Sequence, residues 1–208
     1  MAEIKVPLGF GDISVPLCSH IAFFYRNLGE LRAVVVPFIE KGLEQGDRCI
    51  CIVHEESKEG LQEIWQGHGV NVKAALTSGQ LSILTAEESY LLPGYFSPEK
   101  VIELYEATLR TVIEQGYKVI RITVNVSWAL QEKPGVEWLM EYEAKVHKML
   151  IRYPQFTICQ YNITKFRGDV IMDALRVHPL CIVGGVLIIN HFYMGSDEFL
   201  SQLEARNH

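Results

Sequence analysis

The sequence predicts an α/β fold: a mostly parallel sheet flanked by helices on both faces in three layers, with a C-terminal antiparallel β-hairpin. Three observations carry that expectation. Apolar runs of strand length alternate with segments of helical period along nearly all of the 208 residues. Repeated strand–helix–strand units require right-handed crossovers, and therefore parallel neighbours covered on both faces. Gly184-Gly185 separates two short apolar runs and supplies the positive φ angles of a two-residue turn.

In chain order, His20–Tyr25 (HIAFFY) reads as a buried strand. Apolar residues then recur at helical spacing over 28–44, at Leu28, Leu31, Val35, Phe38, Ile39 and Leu43. Pro37 inside that run predicts a kink or a late helix start, and Gly46 a C-terminal stop. Arg48–Val53 is a second strand, followed by short helices over 58–67 and 71–78 and a third strand, Leu81–Thr85. Ser97-Pro98-Glu99 is an N-cap followed by proline at the first helical position, opening a helix that runs to about residue 115. A fourth strand spans 119–124, a long amphipathic helix 136–151, a fifth strand 156–161 and a helix 169–176. The hairpin strands are Leu180–Val183 and Val186–Ile189, and a terminal helix covers 196–205.

The length suits a single domain, residues 1–208 with its core at about 18–195, and no linker, repeat or low-complexity tract interrupts it. Apolar residues make up 49% and charged residues 21%, as in ordinary globular proteins. The net charge is −6 and the Lys and Arg residues are scattered, which argues against direct nucleic-acid binding and a polybasic membrane patch. The opening residues lack a signal-peptide pattern, and no apolar run reaches the roughly 18–20 residues of a membrane span. A cytoplasmic location is expected. The five cysteines, Cys18, Cys49, Cys51, Cys159 and Cys181, are expected to be reduced, most of them packing as small hydrophobes.

In parallel sheets, sites form at the carboxyl ends of strands, which here selects 25–27, 54–57, 125–128 and 161–164. No phosphate-binding Gly-x-x-x-x-Gly-Lys-Ser/Thr string exists, and the turn after the first strand, Arg26-Asn27-Leu28-Gly29-Glu30, has an acid where a lysine would help. Gly9 and Gly11 begin a dinucleotide-like pattern that lacks its third glycine. His54-Glu55-Glu56 lacks the second histidine of a zinc-binding helix. Cys18, His20, Cys159 and His178 carry metal-ligand chemistry, but their spacing follows no zinc motif, so no metal ligand is assigned. Cys159 with His20 or His178 reads either as a nucleophilic pair or as a core thiol beside a hydrogen-bonded histidine. Tyr25, Tyr90, Tyr95, Trp128, Tyr142, Tyr161 and Tyr193 lie near strand ends and together suit the lining of a small apolar pocket. Glu143, next to apolar neighbours on a helix, reads either as a buried partner for a histidine or arginine or as a solvated charge.

Several strings in order resemble the MEDS domain, a sensory domain named after methanogens, methylotrophs and a dichloromethane-responsive repressor. They are His20-Ile-Ala-Phe-Phe-Tyr25, the stretch from Phe38 to Cys49, Gly79-Gln-Leu-Ser-Ile-Leu, Tyr90 with Gly94-Tyr-Phe96, and Ser127-Trp128-Ala-Leu130. Glu141-Tyr-Glu-Ala144, Cys159-Gln-Tyr161, His178-Pro179, the Gly184-Gly185 hairpin and Asn190-His-Phe-Tyr193 complete the set. The resemblance implies a RecA-like or KaiC-like core without its phosphate loop, and a sensor of simple hydrocarbon derivatives rather than an enzyme. Family members are often fused to DNA-binding or signalling modules; residues 196–208 are too short for one, so a separate partner protein or a homo-oligomer, a dimer, is expected to carry the output. Asn125 and Asn162 stand where the family often has acids, which weakens any acid/base or cation-binding role there.

The resulting expectation is a small organic ligand at the carboxyl edge of the sheet. His20 and His178 are its polar anchors, Cys159 a soft or redox-sensitive contact, Tyr25, Trp128 and Tyr161 its walls, and Glu143 a further lining residue. Two alternatives stay open: a degenerate KaiC-like nucleotide-binding module, and a metal or thiol redox sensor using Cys159 with His20 or His178. The sequence names no cofactor.

Overall fold

A computed structural model describes residues 5–207. It opens with a short antiparallel pair, β1 (Lys5–Pro7) and β2 (Ser14–Pro16), which the sequence reading did not foresee because three residues are too few to display a period. The main sheet contains β3 (His20–Tyr25), β4 (Arg48–Val53), β5 (Leu81–Thr85), β6 (Ile120–Asn125), β7 (Gln155–Asn162), β8 (Leu180–Val183) and β9 (Val186–Ile189). Their order is β5-β4-β6-β7-β3-β8-β9. All neighbours are parallel except β8 and β9, the hairpin built on Gly184 and Gly185. The predicted architecture is therefore the observed one.

Local signals set the helices. α1 (Leu28–Gln45) starts at the Asn27 cap, whose side chain accepts the Glu30 N–H, and stops at Gly46, which sits at φ 79°. The late start expected as one outcome at Pro37 is not found: the helix begins at Leu28 and runs through the proline, which forfeits one backbone donor. α2 (Lys58–Gly67) and α3 (Val72–Thr77) follow β4, and α4 (Pro98–Glu114) starts at Ser97-Pro98 as predicted. The amphipathic stretch over 136–151 divides into a 3-10 turn (Val136–Trp138) and α5 (Leu139–Leu150). Gly135 fixes where the stretch starts: it precedes the 3-10 turn at φ 91°, and a Cβ there would run into the Phe96 carbonyl oxygen. α6 (Gly168–Val177) and α7 (Ser196–Asn207) complete the chain.

Side chains alternate along each strand, so the sheet separates two cores. Ile21, Phe23 and Tyr25 of β3 face α1, α2 and α3, whereas Ala22 and Phe24 face the layer of α4, α5, α6 and α7. Apolar burial at roughly 1.5–3 kcal/mol per large side chain drives both layers. Against that background, the polar groups sealed under α5 and α6 stand out: His20, Glu143, Thr157 and His178. Among the described residues no helix is long and apolar enough to cross a membrane.

Candidate functional site

Four elements converge beneath α5. β3 begins with His20, α5 contributes Glu143, β7 contributes Cys159 from its middle, and His178 directly follows α6. In the β3–β7 register His20 lies beside Thr157 and Ala22 beside Cys159, so the two chemistry-bearing side chains share one face two residues apart. His20 Nε2 is 3.4 Å from Cys159 Sγ and 3.2 Å from Glu143 Oε2. The Cys159 thiol donates to Glu143 Oε2 at 3.7 Å, and His178 Nε2 lies 3.7 Å from the same oxygen. Tyr161 donates its hydroxyl to Glu143 Oε1 at 3.1 Å. His178 Nδ1 donates to the Ala174 carbonyl at 2.8 Å, which fixes its ring and leaves Nε2 facing the cluster with no hydrogen-bond partner.

Burial sets the electrostatics. His20 and His178 are fully enclosed, Glu143 is 1% exposed and Cys159 4%. Desolvation pushes His178 down to about 3, helped by the neighbouring His20, and holds His20 well below the usual histidine range. Desolvation also raises the Glu143 carboxyl and the Cys159 thiol. The short His–Glu contacts are therefore not ion pairs: burial disfavours charge on both sides. His147, one turn after Glu143 on α5, stacks on His20 at 5.6 Å between ring centroids and hydrogen-bonds Tyr193 through Nε2 at 3.1 Å.

Five of the seven site residues named from sequence meet here: His20, Glu143, Cys159, Tyr161 and His178. His20, Glu143, Cys159 and His178 lie within the core beneath the amino-terminal and middle parts of the strands, and only Tyr161 is near a carboxyl end. Tyr25 and Trp128 lie elsewhere. Tyr25 faces the α1 side and its hydroxyl accepts Asn125 Nδ2 at 3.0 Å. Trp128, in a 3-10 turn (Val126–Leu130), packs between Tyr90 and Phe96 at centroid distances of 5.0 and 4.9 Å, its indole N–H unpartnered. The two amides, Asn125 and Asn162, help to surround Glu55, a carboxylate that the sequence reading placed at a strand end (54–57) without a role. Glu55 accepts from Asn162 Nδ2 at 2.9 Å and from Ser127 Oγ at 2.6 Å, with Lys165 Nζ at 3.3 Å. Burial raises its carboxyl, but those donors outweigh it and the net shift is downward.

Residues 19–179 match the profile of the MEthanogen/methylotroph, DcmR Sensory domain. The chain belongs to the MEDS family. The matched span contains all four convergent side chains, and membership gives the chain a sensory or regulatory role. The transcriptional repressor DcmR of Methylorubrum extorquens is 27% identical over 162 residues, covering 77% of this chain and 58% of the repressor. The chain thus spans less than two thirds of that relative. In fold, the MEDS chain is similar to a KaiC-like protein of Pyrococcus horikoshii, with a TM-score of 0.64, 14% identity and coverage of 88% of this chain and 81% of that one. The flagellar accessory protein FlaH of Methanocaldococcus jannaschii gives a TM-score of 0.61 at 16% identity, covering 89% and 84%.

On this KaiC-like fold, the MEDS chain uses the start of α1 for its own side chains. Glu30 accepts from Arg26 N at 2.8 Å and Arg26 Nε at 2.8 Å, which places a carboxylate at a helix N-terminus that otherwise attracts anions. An apolar recess of about 270 Å³ opens instead between β4, β5 and α4, lined by Ile50, Ile52, Leu84, Val101, Leu104 and Tyr105 among others. Tyr90 also borders it; none of the seven named residues does. Its inner wall leads to the cluster by two routes. Tyr105 hydrogen-bonds Thr157, the register neighbour of His20, at 3.1 Å, and Tyr90 hydrogen-bonds Tyr142, next to Glu143, at 3.1 Å. A recess of about 430 Å³ at the carboxyl ends of β4 and β5 is lined by charged groups, among them Glu56, Lys58, Glu59 and Glu87.

Proposed function

We propose that this MEDS domain senses a small, largely apolar organic molecule held between β4, β5 and α4, and that it does so without catalysis. The apolar recess of about 270 Å³ carries the reading. That volume lies near the lower limit of ligand sites, roughly 300–1,000 Å³, and suits a molecule of a few carbon atoms. The charged recess at the carboxyl ends would cost such a ligand its contact with apolar surface. The polar cluster then lies behind the ligand, reached through Tyr90 and Tyr105, and Trp128 touches the same Tyr90 ring. Occupancy that moves either tyrosine hydroxyl shifts its bond to Tyr142, the chain neighbour of Glu143, or to Thr157, the register neighbour of His20, giving two states with different ligand affinity. Burial supports the absence of catalysis: a nucleophilic cysteine needs access and a thiolate, and Cys159 is enclosed with its thiol pushed up.

Ligand-observed NMR with short-chain alcohols, thioethers and halogenated alkanes tests this reading. Leu84→Trp fills the recess, and binding of any hit is expected to weaken at least tenfold with little change in melting temperature. Unchanged binding in that variant sinks the pocket assignment.

The output surface in this reading is the edge strand β9, which meets a second copy of the chain. β9 pairs only with β8 among the described residues, and its outward apolar groups continue into the following loop, with Ile189 69% and Phe192 67% exposed. An apolar edge strand pairs readily with its own symmetry mate, antiparallel about a two-fold axis. Light scattering on the size-exclusion column is expected to show a dimer for the wild-type chain and a monomer for Ile189→Lys. A wild-type monomer at tens of micromolar removes this route. No nucleic-acid contact is part of the proposal, in keeping with the net charge of −6.

A further inference from the structure

We propose that His20, Glu143, Cys159 and His178 bind a divalent transition-metal ion of the zinc class in a four-coordinate site. The four donor atoms, two imidazole nitrogens, a carboxylate oxygen and a sulfur, all lie within 4.8 Å of one another. Bonds of roughly 2.0–2.3 Å to a tetrahedral ion place its ligands about 3.3–3.8 Å apart. The contacts measured here are 3.2 Å from His20 Nε2 to Glu143 Oε2, 3.4 Å from His20 Nε2 to Cys159 Sγ, and 3.7 Å from Glu143 Oε2 to both Cys159 Sγ and His178 Nε2. Four of the six ligand–ligand edges are thus close to those of a coordination tetrahedron, and the other two, His20–His178 and Cys159–His178, lie within 4.8 Å.

The surroundings point the same way. His178 donates Nδ1–H to the Ala174 carbonyl and turns an unpartnered, fully buried Nε2 toward the cluster. Metal-bound histidines are held by such a bond from the second ring nitrogen, whereas a buried acceptor facing nothing is a cost that folded proteins avoid. Tyr161 orients the carboxylate in the same manner, occupying Oε1 and leaving Oε2 toward the other donors. Charge balance fits a divalent ion. One thiolate and one carboxylate cancel two positive charges, so the complex is neutral in a place where net charge is poorly tolerated. Among the described residues no lysine or arginine pairs with Glu143. A mixed nitrogen, oxygen and sulfur set favours zinc, iron or cobalt over magnesium or calcium. Because the four ligands come from β3, α5, β7 and the end of α6, a bound ion ties two adjacent central strands to their helical cover.

Cobalt(II) titration of the full chain, stripped with chelator and kept reduced, tests the site. One equivalent per chain is expected, with the visible bands of tetrahedral cobalt and a thiolate-to-cobalt charge-transfer band in the near ultraviolet. Cys159→Ser, which keeps the side-chain shape, is expected to lose the charge-transfer band. His178→Asn keeps a donor for the Ala174 carbonyl and is expected to bind at least tenfold more weakly. No uptake, a six-coordinate spectrum, or spectra and affinity unchanged in both variants overturn the proposal. Should a variant fail to fold, the wild-type spectrum decides: tetrahedral bands with charge transfer support the site, and their absence overturns it. The inference is independent of the organic ligand, since Leu84→Trp is expected to leave cobalt uptake intact.

Discussion

Replacing Arg121 with alanine lowers folding stability by about 3–5 kcal/mol, a large fraction of what holds a domain of this size together. Arg121 is fully buried in β6. Its Nε donates to Asp47 Oδ2 at 2.6 Å, Nη1 to the Phe38 carbonyl at 3.3 Å and Nη2 to Gln45 Oε1 at 2.7 Å. The guanidinium also lies over the rings of Phe156 and Phe38, at 4.9 and 5.3 Å. Truncation leaves a hole, an unpaired Phe38 carbonyl and a buried carboxylate without its cation. Burial already raises the Asp47 carboxyl, and the bond and charge of Arg121 are what oppose that rise. Arg121→Met restores most of the packed volume but not the cation, and is expected to lose less. Arg121→Met combined with Asp47→Leu removes both charges and is expected to recover much of the loss, because a buried pair replaced by apolar groups is often near neutral. Urea unfolding of the three variants checks the series. A loss below about 1 kcal/mol for Arg121→Ala shows that the pair does not hold the end of α1 to the sheet.

That ion pair also marks where sequence reading stops. An arginine within a strand such as IRITVN looks like an outward-facing position. It is buried because Gly42 on α1 opens the space: a Cβ there would lie 2.4 Å from Arg121 Cδ. Nothing local to either residue reports that pairing. The first main-sheet strand was legible because parallel strands covered on both faces read as apolar runs, as Ile21 to Tyr25 of β3 do. The helix start at Ser97 was legible because a cap is a bond between residues three apart. A late start at Pro37 did not follow because helix propensity is local, whereas the buried face of α1 carries the helix through the proline.

The candidate site was legible in its chemistry and not in its geometry. His20, Cys159 and His178 were singled out as reactive types, but 139 residues separate His20 from Cys159, and only the β3–β7 register makes them neighbours. Glu143 was left between a buried partner and a solvated charge; α5 turns it inward to face both histidines. His147 escaped notice although it lies one helical turn from Glu143, a spacing that places both on one face. The apolar recess was missed save for Tyr90: its walls come from β4, β5 and α4, whose residues look like ordinary core.

Acid destabilises the chelator-treated chain between about pH 6.5 and pH 5, well before carboxylate titration unfolds an average domain. The sign follows from the two histidines. His178 holds a folded pKa of about 3 against an ordinary 6.5, and His20 is displaced in the same direction, both by burial. Between the two values the unfolded chain binds protons that the folded chain refuses. Stability is therefore fully present above pH 6.5 and falls as the pH drops through this window. A histidine contributes about 1.4 kcal/mol per pH unit, so the descent to pH 5 costs about 2 kcal/mol for His178, and His20 adds to it in the same direction. The facing groups modify this without reversing it. His147 on α5 is lowered by burial and adds to the loss. The Cys159 thiol and Tyr161 hydroxyl of β7 are raised by burial and stay protonated throughout, contributing no slope. Glu143 is raised by burial and acts oppositely: below its folded pKa the folded chain holds a proton that the unfolded chain has already released. One carboxyl against two histidines leaves at least one histidine's slope uncompensated. Urea midpoints measured from pH 7.5 to 5 are expected to fall steadily for the wild-type chain, and His178→Asn to remove about one proton from the slope. A wild-type profile that is flat over that range means the imidazoles take up protons in the folded state, and the enclosed, neutral cluster described above does not exist in solution.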